Sequence, residues 1–240
     1  MKVVAVIPAR IASTRLPRKM LREVAGQPLI IRVYKAVQSC SLLDAVIVAT
    51  DSEDVSQVCR QNNCAVRMTS TAHRSGTERV QEISTSISAD VYLNVQGDEP
   101  LIRSEHISAL IELMSDPKIE VGTLKTPSQV EATRNPSVVK VVTDLSGRAL
   151  YFSRSVIPHD RDGTGGNYFK HLGFYAYRKS ALNRFVALPE SSLERSEKLE
   201  QLRFLENGIP IHVRETAYDT IGIDTEEDLR AVEKILYEQG

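Results

Sequence analysis

Cysteine is scarce in this chain, and long apolar runs are missing. Only three of its 240 residues are cysteines, Cys40, Cys59 and Cys64, an odd number with no CxxC pair. That excludes a disulfide framework and a zinc ribbon, and it is the pattern of reduced thiols. No stretch approaches the ~18 apolar residues of a membrane span, and the opening run Val3–Ile7 is interrupted by Pro8 and Arg10, too early for a signal-peptide core. A cytoplasmic protein with no membrane partner is expected. Excess charge is also absent: 30 Lys+Arg stand against 31 Asp+Glu, a formal net charge of −1. A globally basic nucleic-acid binder is thereby excluded, so no nucleic-acid partner is expected and any cationic site must be local. Internal repeats and low-complexity tracts are lacking too.

What is present is the composition of an ordinary globular protein, 42% hydrophobic and 25% charged. Its length suits one large domain or two closely joined ones. The runs Val3–Ile7, Ala45–Ala49, Ala65–Met68 and Val91–Val95 are expected to be strands of a parallel sheet buried on both faces. Between them lie amphipathic patterns. Pro28 is expected at a first helical position, followed by a stripe of Leu29, Ile30, Val33, Ala36 and Val37. Ser104 is expected to cap a helix with Ile107, Leu110, Ile111 and Met114 inside. Alternating strands and helices imply a doubly wound α/β sheet.

After about residue 120 the pattern changes. Val121–Leu124, Val138–Val142, Ala149–Ser153 and Leu172–Tyr177 are expected strands with few helices between them, forming an antiparallel insertion. Asp162-Gly-Thr-Gly-Gly-Asn167 has the composition of a loop and lacks the Lys-Ser/Thr ending of a P-loop. Helical periodicity returns over Leu193–Leu205, and Thr225-Glu-Glu-Asp228 resembles a capping box before Leu229, Val232, Ile235 and Leu236.

The first strand runs into Pro8-Ala-Arg-Ile-Ala-Ser-Thr-Arg-Leu-Pro-Arg-Lys19. In an open α/β sheet the carboxyl ends of the strands face the ligand crevice. Arg10, Arg15, Arg18 and Lys19, interleaved with Ser13 and Thr14, are placed to cradle a triphosphate, the alternative being a solvated basic turn. No GxGxxG motif is present, which disfavours a nicotinamide enzyme. Asn94-Val-Gln-Gly-Asp-Glu-Pro100 closes a second crevice strand, with Gly97 expected to let the backbone pass close to a ligand. Asp98 suits magnesium, which takes one or two carboxylates alongside water and phosphate oxygens, or else a turn or cap; Glu99 is expected in solvent. In His73-Arg-Ser-Gly-Thr-Glu-Arg79, Ser75 and Gly76 at a helix start offer N–H groups to a base or anion, or form a plain cap. Asp224 is, locally, only the residue before a capped helix.

These words resemble the 3-deoxy-manno-octulosonate (Kdo) cytidylyltransferases. The likeness runs through IPARIASTRLPRK, VATDSEDV, HRSGTERV, LNVQGDEPLI, NPSVVKVV, ALYFSRSVIP, KHLGFYAYR, EKLEQLRFLENG and GIDTEEDL, nearly the whole chain. Two departures stand out: Arg18 in the first word, where glycine is frequent, and Met20 just after it, in place of a common proline.

The resemblance implies an α/β fold of the nucleotide-diphosphosugar-transferase type, a Rossmann-like three-layer sandwich with an antiparallel insertion for dimerisation and sugar binding. It implies a single domain over 1–240, with 1–120 and 217–240 as the nucleotide-binding core and 121–216 as the sugar-binding and dimerisation part. The implied reaction joins CTP to Kdo, giving CMP-Kdo and diphosphate for lipopolysaccharide biosynthesis, with Mg²⁺ as cofactor and a homodimer as assembly. Carried over by position, Arg10, Ser13, Arg15 and Lys19 resemble the triphosphate loop, with Arg10, Lys19, Asp98 and Asp224 as catalytic residues. Ser75, Gly76 and Gln96 resemble nucleoside contacts, and Asp98 with Asp224 the magnesium pair. His171, Tyr175, Glu200 and Gln201 resemble the sugar site, with Glu197 a weaker member. Residue alternation independently places His171, Gly173 and Tyr175 on one strand face, which also suits a core histidine packed on tyrosine. Transfer to 8-amino-Kdo or to sialate is the alternative within the class, and a non-catalytic nucleotide-binding regulator the alternative outside it.

Overall fold

Val3, Val4, Ala5, Val6 and Ile7 are all inaccessible to solvent, as a strand covered on both faces must be. The computed structural model describes residues 1–11, 15–163 and 165–238. The chain divides into two units, Met1–Ser108 with Thr220–Gly240, and Ala109–Asp219.

The first unit begins with β1 (Val3–Pro8), a short 3-10 turn over Lys19–Leu21, the two-residue strands β2 (Glu23–Val24) and β3 (Gln27–Pro28), and α1 (Leu29–Gln38). It continues with β4 (Ala45–Thr50), α2 (Glu53–Gln61), β5 (Val66–Met68), α3 (Gly76–Ser86) and β6 (Val91–Asn94), and the boundary after Ser108 falls within α4 (Ser104–Leu113). Its strands lie in the order β6-β1-β4-β5, all parallel. From β1 the chain steps outward through α1 and α2, then returns over β1 through α3 to reach β6. Right-handed crossovers therefore place α3 on the face opposite α1 and α2. The order reverses between β1 and β6, and the loops after these two strands flank that switch point.

Side-chain caps open some of the helices and not others. Ser52 accepts from Val55 N at 3.4 Å ahead of α2, whose first turn carries Glu53 and Asp54 against the helix dipole. In α1 the stripe Leu29, Ile30, Val33 and Val37 is buried, and Ile31 and Tyr34 widen it, while Ala36 is only half-buried. Pro28 precedes the helix rather than opening it, since it pairs with Glu23 in the β2–β3 hairpin. Ser104 likewise stands inside α4 rather than capping it; the Arg103 N–H ahead of the helix donates to His106 Nδ1 at 3.1 Å. Along α4, Ile107 and Leu110 are buried and Ile111 half-buried, and Met114, just past its end, is buried. The strand β5 corrects the expectation of burial on both faces: Arg67 and Met68 are exposed because this strand pairs only with β4 at the sheet edge.

The second unit contains β7 (Val121–Ser128), α5 (Val130–Thr133), β8 (Lys140–Thr143), β9 (Ala149–Ser153), β10 (Tyr168–Tyr177), α6 (Lys179–Ala187), α7 (Ser192–Glu197), α8 (Leu202–Glu206) and β11 (His212–Glu215). The pairs β7–β10, β10–β8 and β8–β9 are antiparallel as expected. The unexpected β11 pairs parallel with β7. The helix α6 was not foreseen either, although Ala181, Leu182 and Phe185 give it a short buried stripe. The single periodic run Leu193–Leu205 is in fact two helices, broken where Lys198 turns left-handed at φ 54°. A buried ion pair bonds the two: Arg203 meets both oxygens of Glu194, at 2.6 and 2.8 Å. The chain then returns to the first unit with α9 (Glu226–Glu238), where Thr225 and Asp228 cap each other as the sequence indicated. Leu229 and Val232 are buried there, Ile235 and Leu236 half-buried. Among the described residues no helix is long and apolar enough to cross a membrane.

Candidate active site

The basic loop is anchored before it begins. Ala9 donates to Ala49 O at 2.9 Å and accepts from the Thr50 hydroxyl at 2.5 Å, so the exit from β1 is fixed to the end of β4. Leu16 is buried and pins the middle. Arg18 then adopts φ 56°, ψ 32°, a left-handed conformation that glycine takes without strain. This turn directs Lys19 inward, where it is 7% exposed.

The Lys19 ammonium donates to Asp98 Oδ2 at 2.6 Å and to Asp224 Oδ1 at 2.9 Å. Arg15 pairs with the other oxygen of Asp224, Oδ2, at 2.8 Å. Two carboxylates and two cations thus form one cluster within the first unit. Burial by itself lowers the Lys19 pKa, but Asp98 and Asp224 outweigh it and hold the ammonium above its ordinary value. Burial likewise acts to raise Asp224, and Lys19 with Arg15 outweighs it, leaving that carboxyl below the usual range. Asp98 is brought in by the loop after β6 and Asp224 by the segment before α9; Ile223 N bonds Asp98 O at 2.8 Å and ties those segments together.

The four cations of the loop are not equivalent. Arg18 pairs at 2.8 Å with Asp54 on α2, outside the cluster. Arg10 is exposed and has no ion pair among the described residues. Ser13 and Thr14 lie outside the described residues, as does Thr164 of the glycine-rich loop.

One expectation for the loop after β6 gains a structural basis and another is corrected. A Cβ on Gly97 meets Met20 Sδ at 2.9 Å and Pro8 O at 3.0 Å, so glycine here lets two protein loops pack closely. Met20, the departure from proline, is therefore the partner of Gly97. Glu99 is half-buried rather than in solvent and accepts from the Thr220 hydroxyl at 2.7 Å. Gln96 is half-buried, its carbonyl accepting from Glu99 N at 3.3 Å.

Ser75 is the N-cap of α3, its hydroxyl accepting from Glu78 N at 3.2 Å. Gly76 follows, and a Cβ there reaches Pro8 Cγ at 3.4 Å and Asn94 Nδ2 at 3.5 Å. The N-terminus of α3 is thereby set against the ends of β1 and β6. Two residues here were not singled out from sequence. Asn94 is fully buried, and neither its Oδ1 nor its Nδ2 has a hydrogen-bond partner among the described residues. Arg79 is buried and donates to Asp51, Thr69 and the Ser70 carbonyl, tying α3 to the segments after β4 and β5. A buried polar residue at a strand end is the only signal for Asn94, and nothing local marks Arg79.

In the second unit, β10 holds His171 opposite Lys125 and Tyr175 opposite Thr123, with a bulge at Gly173 and Phe174 between them. Strict alternation fails there, but two extra residues restore the parity. The His171 and Tyr175 rings lie 5.4 Å apart, and Phe152 meets His171 edge-on at 4.8 Å. The Thr123 hydroxyl donates to the carbonyls of Phe174 and Leu172 at 2.7 and 3.2 Å, so His171 Nε2, 3.0 Å away, is the donor to it. Burial pushes the imidazole down to about 3, and the ring is neutral. Tyr175 is raised well above its ordinary value by burial, Tyr177 and Glu200. Its hydroxyl and Gln201 Nε2 are buried without a hydrogen-bond partner among the described residues. Glu197 is engaged internally, accepting from Ser153 Oγ at 2.6 Å and Arg154 N at 2.8 Å.

Residues 4–216 match the family model described as cytidylyltransferase. The 3-deoxy-manno-octulosonate cytidylyltransferase of Koribacter versatilis is 62% identical, over 98% of this chain and 90% of its own length. The chain belongs to the 3-deoxy-manno-octulosonate cytidylyltransferase family. A member from Acidobacterium capsulatum is 53% identical over 100% of this chain and 98% of its own length. A solved structure of CMP:2-keto-3-deoxy-manno-octonic acid synthetase complexed with CTP superposes with a TM-score of 0.96 at 40% identity, each chain covered in full. The α/β fold of this cytidylyltransferase is thus the fold of that synthetase.

Proposed function

We propose that the chain transfers the cytidylyl group of CTP to the anomeric 2-hydroxyl of Kdo, releasing diphosphate and giving CMP-Kdo for lipopolysaccharide biosynthesis. The observation that carries this reading is the cluster of Lys19 and Arg15 with Asp98 and Asp224 beside the β1–β6 switch point, in a chain of this family. Both substrates are anions, a triphosphate and a sugar carboxylate, and a nearly neutral protein must cancel their repulsion locally. Arg10, Ser13, Arg15 and Lys19 take the triphosphate, and Ser75, Gly76 and Gln96 the nucleoside. Ser75 already caps α3, so its contribution is to fix the free N–H groups of that helix start.

Asp98 and Asp224 suit Mg²⁺ as its protein ligands. The donor set is two carboxylates and nothing softer, and among the described residues no group of three or more His, Cys, Asp or Glu forms a closed metal cage. Magnesium fits such a set because it retains water and takes substrate phosphate oxygens. When bound it supplies charge neutralisation at the phosphates. Lys19 and Arg15 orient the triphosphate, and the 2-hydroxyl attacks the α-phosphorus with no covalent enzyme intermediate.

His171, Tyr175, Glu200 and Gln201 receive the sugar. Supporting this, the Tyr175 hydroxyl and Gln201 amide are buried polar atoms awaiting partners, which sugar hydroxyls supply. His171 acts as a neutral hydrogen-bonding ring rather than a cation. A cytoplasmic homodimer belongs to the same proposal. It is supported by Leu145 and Leu150, exposed apolar residues of the β8–β9 hairpin region, and by three buried thiols.

Initial rates of diphosphate release from CTP test the proposal, measured with Kdo, 8-amino-Kdo and sialate. The expected result is the highest kcat/KM with Kdo. Preference for either rival acid overturns the substrate assignment, and inertness with all three leaves the regulator reading in its place.

A further inference from the structure

The cluster has a property that phosphate binding alone does not require: its cations are spent on its own carboxylates. Asp224 is engaged on both oxygens, Oδ1 by Lys19 and Oδ2 by Arg15, and Asp98 gives Oδ2 to the same ammonium. Two negative and two positive charges cancel. Lys19 is nearly buried, whereas the Arg15 side chain is 60% exposed, so the ammonium is the better-held of the two cations. A divalent ion approaching Asp98 and Asp224 must compete with an ammonium already hydrogen-bonded to both.

We infer that Lys19, assisted by Arg15, occupies the carboxylate pair as a placeholder cation that weakens divalent-metal binding to the free enzyme until a triphosphate draws both side chains away. The inference rests on the proposed metal role of Asp98 and Asp224. Its logic is competition for shared ligands. The polyanion offers Lys19 and Arg15 new acceptors, the carboxylates are then released, and metal and nucleotide raise each other's affinity by the same factor. Lys19 is therefore a positioning residue for metal entry as well as a phosphate ligand, and the two duties alternate. Free metal is kept from an empty site, and the charge of the cluster stays balanced in both states.

Removing a positive charge from the nucleotide site should thus strengthen metal binding when no nucleotide is present. The probe is Mn²⁺ alone, titrated into the nucleotide-free full-length protein and followed by the electron spin resonance of free Mn²⁺, with folding checked by circular dichroism. Lys19→Met is expected to tighten Mn²⁺ binding about tenfold or more, Arg15→Gln by about threefold, and Lys19→Arg to leave it close to wild type. If Lys19→Met fails to fold, the Arg15→Gln and Lys19→Arg pair still decides the matter. Unchanged or weaker Mn²⁺ binding in every folded charge-removing variant overturns the inference. A separate arm measures Mn²⁺ on the enzyme–CTP complex without sugar acid, and its loss in Asp98→Asn is expected. Retention there overturns the metal pair itself, which is a different failure from absence of gain in Lys19→Met.

Discussion

Lys19 reaches Asp224 across 205 positions of the chain and holds its Oδ1 at 2.9 Å. Neither residue is marked by its neighbours: one ends a basic run, the other precedes a capped helix. Their meeting requires the loop after β1 and the segment before α9 to converge, and Asp98 completes the convergence at 2.6 Å from the same nitrogen.

Asp98→Asn and Asp224→Asn each remove one charge of this cluster while keeping its shape. Diphosphate release should fall by at least about a hundredfold in each, the scale of losing a transition-state electrostatic contact. Thermal unfolding should show that both proteins remain folded. Near-wild-type turnover at low Mg²⁺ in either variant contradicts the carboxylate pair.

Lys19→Ala should raise the KM for CTP far more than that for Kdo. Loss of a charge-assisted bond costs about 1.5–3 kcal/mol, or roughly 10- to 150-fold. Steady-state kinetics with CTP varied at saturating Kdo reads this directly, and an unchanged CTP requirement counts against the assignment.

The sequence carried the parallel core well because Val3–Ile7 and Ala45–Ala49 are apolar at successive positions, a signal no helix boundary can blur. It carried the second unit less well. The α7–α8 pair looked continuous because Lys198, the left-handed residue that breaks it, is neither glycine nor asparagine. The short β11 gains its place by pairing with β7, a tertiary fact without local periodicity. In the site, the cations of the first loop were visible as a run. That Arg18 leaves the cluster for Asp54 while Arg15 stays was not, since only the left-handed turn at Arg18 separates their directions. Gly97 was legible as a close approach, and its protein neighbours Met20 and Pro8 were not.

Gly97→Ala should accordingly destabilise the fold by about 1–3 kcal/mol through overpacking against Met20 and the Pro8 carbonyl. Urea midpoints measure it. Met20→Ala in the same chain should recover part of the loss, because it removes the sulfur contact and leaves the backbone one.

His171 gives a pH dependence whose sign is fixed. The unfolded imidazole titrates near 6.5 and the folded one at about 3, so unfolding takes up a proton between those values. Its contribution to stability is complete above pH 6.5 and is lost as the pH falls toward 3. At pH 4.5 the loss is about 2–3 kcal/mol relative to pH 7. His171→Gln should flatten the fall in urea-unfolding free energy between pH 7 and pH 4.5 by that amount, and an unchanged slope shows that the ring is not buried neutral.

The most direct measurement of cytidylyl transfer is a phosphorus NMR time course with purified protein, CTP, Kdo and Mg²⁺. The expected result is the disappearance of CTP with equimolar appearance of diphosphate and one sugar phosphodiester resonance, none of it formed when Kdo is omitted. Diphosphate appearing with CMP and no phosphodiester, or CTP left intact beside Kdo, would contradict the assignment of this chain as the enzyme that activates Kdo.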